Sequence, residues 1–267
     1  VTLRDLLGRF SNLNILVAGD PMIDVYHFGR VERVSQEAPV PVFIEERVDK
    51  RLGGAANVWN QLAELGVAVQ AGYSLDSTTW TEKHRYLVGS HQLFRVDFDR
   101  RVELKPLPTE RPAPADAVVL SDYGKGALSE AWCQSYMHLG VPVIVDPKGT
   151  TWAKYAGATV ICPNHLEVFD HLTYRWPAEH LIVKRGSAGL SLYSDGDPVG
   201  RDFPAQAKHV FDVTGAGDTV TALVAATVAA GGTLDQACEL ANMAAGFVVG
   251  EVGTTVCPLS VLQELAG

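Results

Sequence analysis

The chain has 267 residues, 47% of them hydrophobic and 20% charged, with a formal net charge of -9. This composition describes a folded protein with a substantial core, and the negative balance argues against a nucleic-acid binder, which needs a basic surface to exchange for counterions. Cys133, Cys162, Cys238 and Cys257 stand far apart, with no CxxC pair and no HExxH, so neither a zinc site nor a disulfide framework is expected. The opening VTLRDLLGRFSNLNILVAGD lacks the basic stretch and continuous apolar run of a signal peptide. The longest apolar region, Ala222 to Ala230, is too short to span a bilayer. A cytoplasmic protein without membrane insertion is the expectation.

In chain order, short apolar runs predict buried strands at NILVAG (Asn14 to Gly19), AVVLS (Ala117 to Ser121), PVIVD (Pro142 to Asp146), TVIC (Thr159 to Cys162) and LIVK (Leu181 to Lys184). Between them Ala55, Val58, Trp59, Leu62 and Leu65 recur at helical spacing, and helix-like segments run from Leu128 to Leu139 and from Trp152 to Tyr155. Such alternation predicts an α/β fold, a doubly wound and mostly parallel sheet flanked by helices. PVPVFIEERVD (Pro39 to Asp49) and QLFRVDFD (Gln92 to Asp99) alternate instead, as strands with one exposed face do, and predict a small accessory sheet. Two alanine-rich helices, Asp218 to Ala230 and Leu234 to Val249, close the chain around Gly231-Gly232.

Three stretches carry chemistry. VFDVTGAGDT (Val210 to Thr219) runs a glycine-rich turn into a helix, whose first-turn N–H groups and partial positive charge suit an anion. Asp218 stands in its mouth, and the plain alternative is a tight turn with an aspartate N-cap. GDPMID (Gly19 to Asp24) puts Asp24 just after the first strand, where α/β sheets bind ligands. GGAAN (Gly53 to Asn57) opens a helix with glycines that allow close backbone approach and an asparagine that can meet hydroxyls.

With PNHLE (Pro163 to Glu167) added, the sequence resembles the ribokinase-like carbohydrate kinases of the PfkB family over nearly its whole length. RVSQEAPVPV (Arg33 to Val42), HQLFRVDF (His91 to Phe98), LSDYGKGAL (Leu120 to Leu128) and VIVDPKG (Val143 to Gly149) are similar to the D-glycero-β-D-manno-heptose 7-phosphate kinases within it. The resemblance implies one ribokinase-like domain over 1–267, with a β-sheet lid from about 25–51 and 83–101. It implies an ATP-dependent kinase for the anomeric hydroxyl, with Asp218 as general base and the amides of Gly215, Ala216 and Gly217 as anion hole. Asn164 and Glu167 would organise Mg2+ and its waters; Lys184, Gly186, Asn242 and Gly246 would border the nucleotide. Many members also bind K+ through residues matching Asp212 and Thr214, with carbonyls from the Val248 to Gly253 region. Asp24, Gly53, Gly54 and Asn57 match sugar contacts, and Arg33, Lys83, Arg85, Arg95 and Lys125 are candidate cations for the 7-phosphate. The partners implied are a phosphosugar and ATP, with a homodimer through the lid as in lidded members of the family.

The sequence departs from that pattern in two ways. After GYSLDSTTWTEKHRYL (Gly72 to Leu87) it reaches HQLFRVDF sooner than the heptose kinases do, as if a helix and strand were missing, and Gln36 stands where they usually have proline. The sequence stops before any nucleotidyltransferase half, and the expectation is a stand-alone kinase or a part of one. A kinase for another phosphosugar or a ketohexose, and a catalytically weak sugar-sensing or partner-binding member, stay open as alternatives.

Overall fold

The computed structural model describes residues 1–73, 75–100, 114–168, 176–194, 197, 199–207, 210–251 and 253–267. After the short helix α1 (Leu3–Leu7), strand β1 (Asn14–Gly19) passes through Asp20 alone into β2 (Pro21–Val34), which pairs antiparallel with β3 (Pro41–Gly54). Helix α2 (Ala55–Glu64) leads to β4 (Ala68–Ala71), parallel to β1. Then β5 (Thr81–Val88) and β6 (His91–Phe98) complete a four-stranded sheet in the order β3-β2-β5-β6.

The larger sheet is built by β7 (Ala117–Ser121), β8 (Val143–Asp146), β9 (Ala158–Ile161), β10 (Ala178–Lys184), β11 (Leu190–Ser194) and β12 (Arg201–Phe203), with helix α3 (Glu130–Met137) between β7 and β8. Its order is β12-β11-β10-β9-β8-β7-β1-β4, parallel from β4 to β10 and antiparallel at β11 and β12. Helices α4 (Ala216–Ala229), α5 (Leu234–Val248) and α6 (Leu259–Leu265) close the chain.

Because successive side chains of a strand point to opposite faces, each buried run feeds two cores. Ile15 and Val17 pack with Leu6 of α1, Val58 of α2, Leu223 of α4, Leu240 of α5 and Leu262 of α6. Leu16 and Ala18 pack on the other face with Cys133 and Tyr136 of α3 and with Trp152 and Tyr155. Covering both faces with apolar atoms is what makes these runs continuous rather than alternating.

Each of the five apolar runs falls on a strand, two of them with the same bounds and the other three displaced by one to three residues at one or both ends. The expected helix at Trp152 to Tyr155 is a single 3₁₀ turn, Ala153–Tyr155. Asp24, expected just after the first strand at its carboxyl end, follows β1 by five residues but lies inside β2 and belongs to the smaller sheet. That sheet draws on 21–54 and 81–98, against the expected 25–51 and 83–101, with residue 101 outside the described residues. Among the described residues between β4 and β5 the helical element is one 3₁₀ turn, Ser77–Thr79.

Candidate active site

The site forms where the start of α4 meets the carboxyl ends of the parallel strands and the base of the smaller sheet. Gly215 holds the N-cap position with φ 83°. A Cβ there would stand 2.6 Å from Thr254 Cγ2 and 2.9 Å from Asn57 Nδ2, so both conformation and space require glycine. Asp218 therefore lies in the first turn of the helix and is not its cap, which corrects the plain capping alternative.

The Asp218 carboxylate is 4% exposed and faces side chains, not the helix backbone. Asn57 Nδ2 donates to its Oδ2 at 2.7 Å, and the Tyr123 hydroxyl donates to its Oδ1 at 2.7 Å. Burial and the neighbouring charge of Asp146 push its pKa up to about 7, against the pull of those two donors and of Lys184. A carboxylate poised there can both stay ionised and accept a proton near neutrality. Above it, the N–H groups of residues 217 and 218 have no acceptor within the helix. Of the amides expected to form the anion hole, those of Gly215, Ala216 and Gly217, the amide of Ala216 is partly committed to the Val213 carbonyl at 3.3 Å.

A cleft of about 420 Å³ opens on one side of Asp218. Asn164, Glu167, Lys184, Gly186, Ala216, Gly217, Asn242 and Gly246 all line it, so the structure brings the expected nucleotide residues to one cavity. Lys184 Nζ donates to Asp146 Oδ1 at 2.6 Å; burial works against its charge, but Asp146, Cys162 and Asp218 together more than offset this and hold the ammonium above its ordinary range. Asn242 spends its amide on the carbonyls of Phe203 and Pro204, at 2.9 and 3.2 Å, and so fixes the cleft wall between α5 and the end of β12.

Asn164 and Glu167 are locked in one turn. Asn164 Oδ1 accepts from the N–H groups of Leu166 and Glu167, while Glu167 Oε2 accepts from the N–H of Asn164 at 3.0 Å. Glu167 Oε1 lies 3.7 Å from Lys148 Nζ. Among the described residues no group of three or more His, Cys, Asp or Glu side chains is arranged to hold a metal ion. Two hard oxygen donors without a cage fit an ion that keeps most of its waters and is carried by phosphates, as Mg2+ does. Asp212 braces its own loop: Oδ1 accepts from Thr214 N and Oγ1, and Oδ2 accepts from Gly253 N at 3.0 Å. Within the Val248 to Gly253 region, residue 252 lies outside the described residues.

On the other side of Asp218 stands the smaller sheet. Gly53 and Gly54 let β3 approach closely, since a Cβ on Gly53 would lie 2.7 Å from Asp24 Oδ2 and one on Gly54 would lie 2.4 Å from the Asp20 carbonyl. The candidate cations separate. Arg85 is bound to Asp24, Lys125 to Asp99 at 2.6 Å, and Arg95 to Asp97 of its own strand. Arg33 is exposed near the far end of the long strand β2, nine residues beyond Asp24, and the structure does not bring it to the site. Lys83 lies beside the site with its ammonium 5.1 Å from the centre of the Tyr123 ring. Burial pulls it below the ordinary lysine range against the attraction of Asp24.

Sequence reasoning assigned no role to Tyr123, Asp146 or Asp20. The signal was present, because LSDYGKGAL, VIVDPKG and the Gly19-Asp20 pair were all singled out as strings, but only the folded chain brings Tyr123 and Asp146 beside Asp218.

The model of the pfkB family of carbohydrate kinases matches residues 103–261. The bifunctional protein HldE of Aeromonas hydrophila subsp. hydrophila is 39% identical across 97% of this chain and 65% of its own length. That of Enterobacter sp. is 38% identical across 98% of this chain and 65% of its own length. The chain thus spans about 65% of the length of these curated relatives, and the alignments run over 311 and 312 positions, so the relatives carry insertions. Among solved structures, ribokinase from Thermotoga maritima superposes with a TM-score of 0.73 at 16% identity, covering 94% of this chain and 98% of that one. Ribokinase from Cryptococcus neoformans in complex with ADP gives 0.71 at 17% identity, covering 95% and 99%. At such identities these likenesses show the ribokinase fold. No described helix is long and apolar enough to cross a membrane.

Proposed function

The chain belongs to the pfkB family of carbohydrate kinases, and on that premise we propose that it transfers the γ-phosphoryl of ATP to the anomeric hydroxyl of D-glycero-β-D-manno-heptose 7-phosphate. The observation that carries this reading is Asp218, a buried carboxylate at the start of α4, between a cleft of nucleotide size and the inner strands of the smaller sheet, which carry Asp24 and Lys83. Asp218 takes the proton of the sugar hydroxyl as the new O–P bond forms. The bond between the γ-phosphorus and its bridging oxygen breaks, and ADP leaves with that oxygen. The first-turn amides of α4 receive the charge that gathers on the equatorial oxygens. When bound at Asn164 and Glu167, Mg2+ supplies neutralisation of that charge. On the substrate side Lys83 is the cation best suited to the 7-phosphate, because the other candidates near the site are committed to carboxylates.

The choice of heptose rests on the strings around Arg33, Leu120 and Val143, with the bifunctional relatives in support. A kinase for another phosphosugar is a second reading, favoured by the abbreviated path between β4 and β5. K+ at the Asp212 and Thr214 loop, a homodimer through the smaller sheet and a cytoplasmic setting belong to the same proposal. The exposure of Phe94 and Phe98 on β6 supports the dimer. The test is ADP release with ATP and a panel of sugars, with phosphorus NMR of the product. The heptose 7-phosphate should give the highest kcat/KM and an anomeric phosphate; comparable kcat/KM for ribose or fructose would sink the heptose assignment.

A further inference from the structure

The loop after β7 is pinned from both sides. Asp20, 1% exposed, accepts the N–H groups of Tyr123 at 2.8 Å, Lys125 at 3.1 Å and Ala127 at 3.0 Å. Asp122 accepts the N–H of Gly124 at 2.7 Å and the hydroxyl of Tyr155 at 2.8 Å, and it also pairs with Lys154. Six donors on two carboxylates leave the loop little freedom, so the Tyr123 ring stands on a rigid base with its hydroxyl 2.7 Å from Asp218 Oδ1.

The two donors to Asp218 differ in kind. Asn57 offers an amide that the resemblance also assigns to sugar hydroxyls. Tyr123 stands in the LSDYGKGAL string, where no sugar contact was assigned to it. Burial and the charge of Asp218 drive its phenol well above its ordinary ionisation range, and it therefore stays a donor throughout the working pH range. A hydrogen bond from a fixed neutral donor favours the charged form of a carboxylate and holds its plane.

On the reading that Asp218 is the base, we infer that Tyr123 is a positioning residue for phosphoryl transfer: its hydroxyl anchors Asp218 Oδ1, fixes the plane of the carboxylate and stabilises its charged form. The charged groups facing this pair are Asp146 on β8, Lys184 on β10, Asp24 on β2 and Lys83 on β5. All of them remain when the hydroxyl alone is removed, so a change in the titration of Asp218 reports the hydroxyl.

The test is Tyr123→Phe, which keeps the ring and should keep the melting temperature. Carboxyl carbon-13 NMR of the ligand-free protein follows Asp218 directly, and its titration should move to higher pH by about one unit. The acid limb of kcat/KM for D-glycero-β-D-manno-heptose 7-phosphate should move with it, costing roughly tenfold at pH 6 and little at pH 9. Fluorotyrosine at the same position, a stronger donor, should move both to lower pH. A uniform loss at every pH with an unmoved titration would overturn the inference and leave Tyr123 as packing; an unchanged titration with unchanged activity would overturn it equally. Asp218→Asn run in parallel separates the failures. If that variant keeps its kcat, the base reading fails and this inference with it. If it is inactive while Tyr123→Phe leaves the Asp218 titration unmoved, only the role of Tyr123 fails.

Discussion

At the scale of single residues, Asp218 is held in a state that opposes folding at neutral pH. Its carboxyl titrates near 3.8 in the unfolded chain and near 7 in the folded one, so between those values the folded state holds a proton that the unfolded state has lost. Stability therefore falls as pH rises through that window, by up to roughly 4 kcal/mol, and stays low above about pH 7. Asp218→Asn should remove this dependence: the variant should melt higher than the parent at pH 8, with the gap shrinking towards pH 4. Thermal melts without ligand across that range check it. The two glycines of the turn should part company in the same way. At Gly215 alanine meets Thr254 and a positive φ, and should lower the melting temperature. At Gly217 a Cβ meets nothing closer than Lys184 Nζ at 3.4 Å, inside a helix where alanine is worth about 1 kcal/mol over glycine. Gly217→Ala should thus melt no lower than the parent yet lose turnover, because the methyl group enters the cleft that receives the phosphoryl; melting curves and kcat together decide it.

At the scale of elements, what could be read in advance follows from how each strand is buried. The inner parallel strands lie between two cores and must be apolar throughout, so NILVAG and AVVLS announce themselves. β2 does not, because PMIDVYHFGRVERV is buried at its start and exposed at its end, with Asp24, His27 and Arg30 interrupting any simple period. The short antiparallel edge strands β11 and β12 carry too few residues to set a pattern. The turn at Gly215 and Asp218 was legible because a glycine-rich motif runs straight into a helix in the sequence. The approach of Tyr123 and Asp146 to Asp218 was not, since it joins segments far apart in the chain. The smaller sheet yields its own prediction. Lys83→Gln should raise KM for the heptose 7-phosphate by about tenfold, while leaving the KM of unphosphorylated sugars nearly unchanged, because one charge-assisted contact to phosphate is lost. An equal effect on both classes, in steady-state kinetics, would assign Lys83 to the packing on Tyr123.

At the scale of the whole molecule, the two sheets divide the labour. The larger one presents the cleft and α4, and the smaller one carries Asp24 and Lys83 to the far side of Asp218. Phosphoryl transfer needs both, because the base acts only on a hydroxyl held against the phosphoryl and water competes until the space is filled. Hydrolysis of ATP without sugar should accordingly be slow, and a sugar-independent rate equal to the kinase rate would contradict that division. The central claim is that Asp218 accepts the proton of the sugar hydroxyl beside the amides that hold the phosphoryl. Asn57 can still donate to the oxygen of an asparagine at 218, and the Tyr123 hydroxyl can turn to accept from its amide, so Asp218→Asn keeps the shape of the site while removing the proton acceptor. The most direct measurement is kcat together with the nucleotide Kd of that variant in folded protein. The account predicts a fall in kcat of about 10² to 10⁴ with ATP binding little changed. A kcat near that of the parent would contradict it.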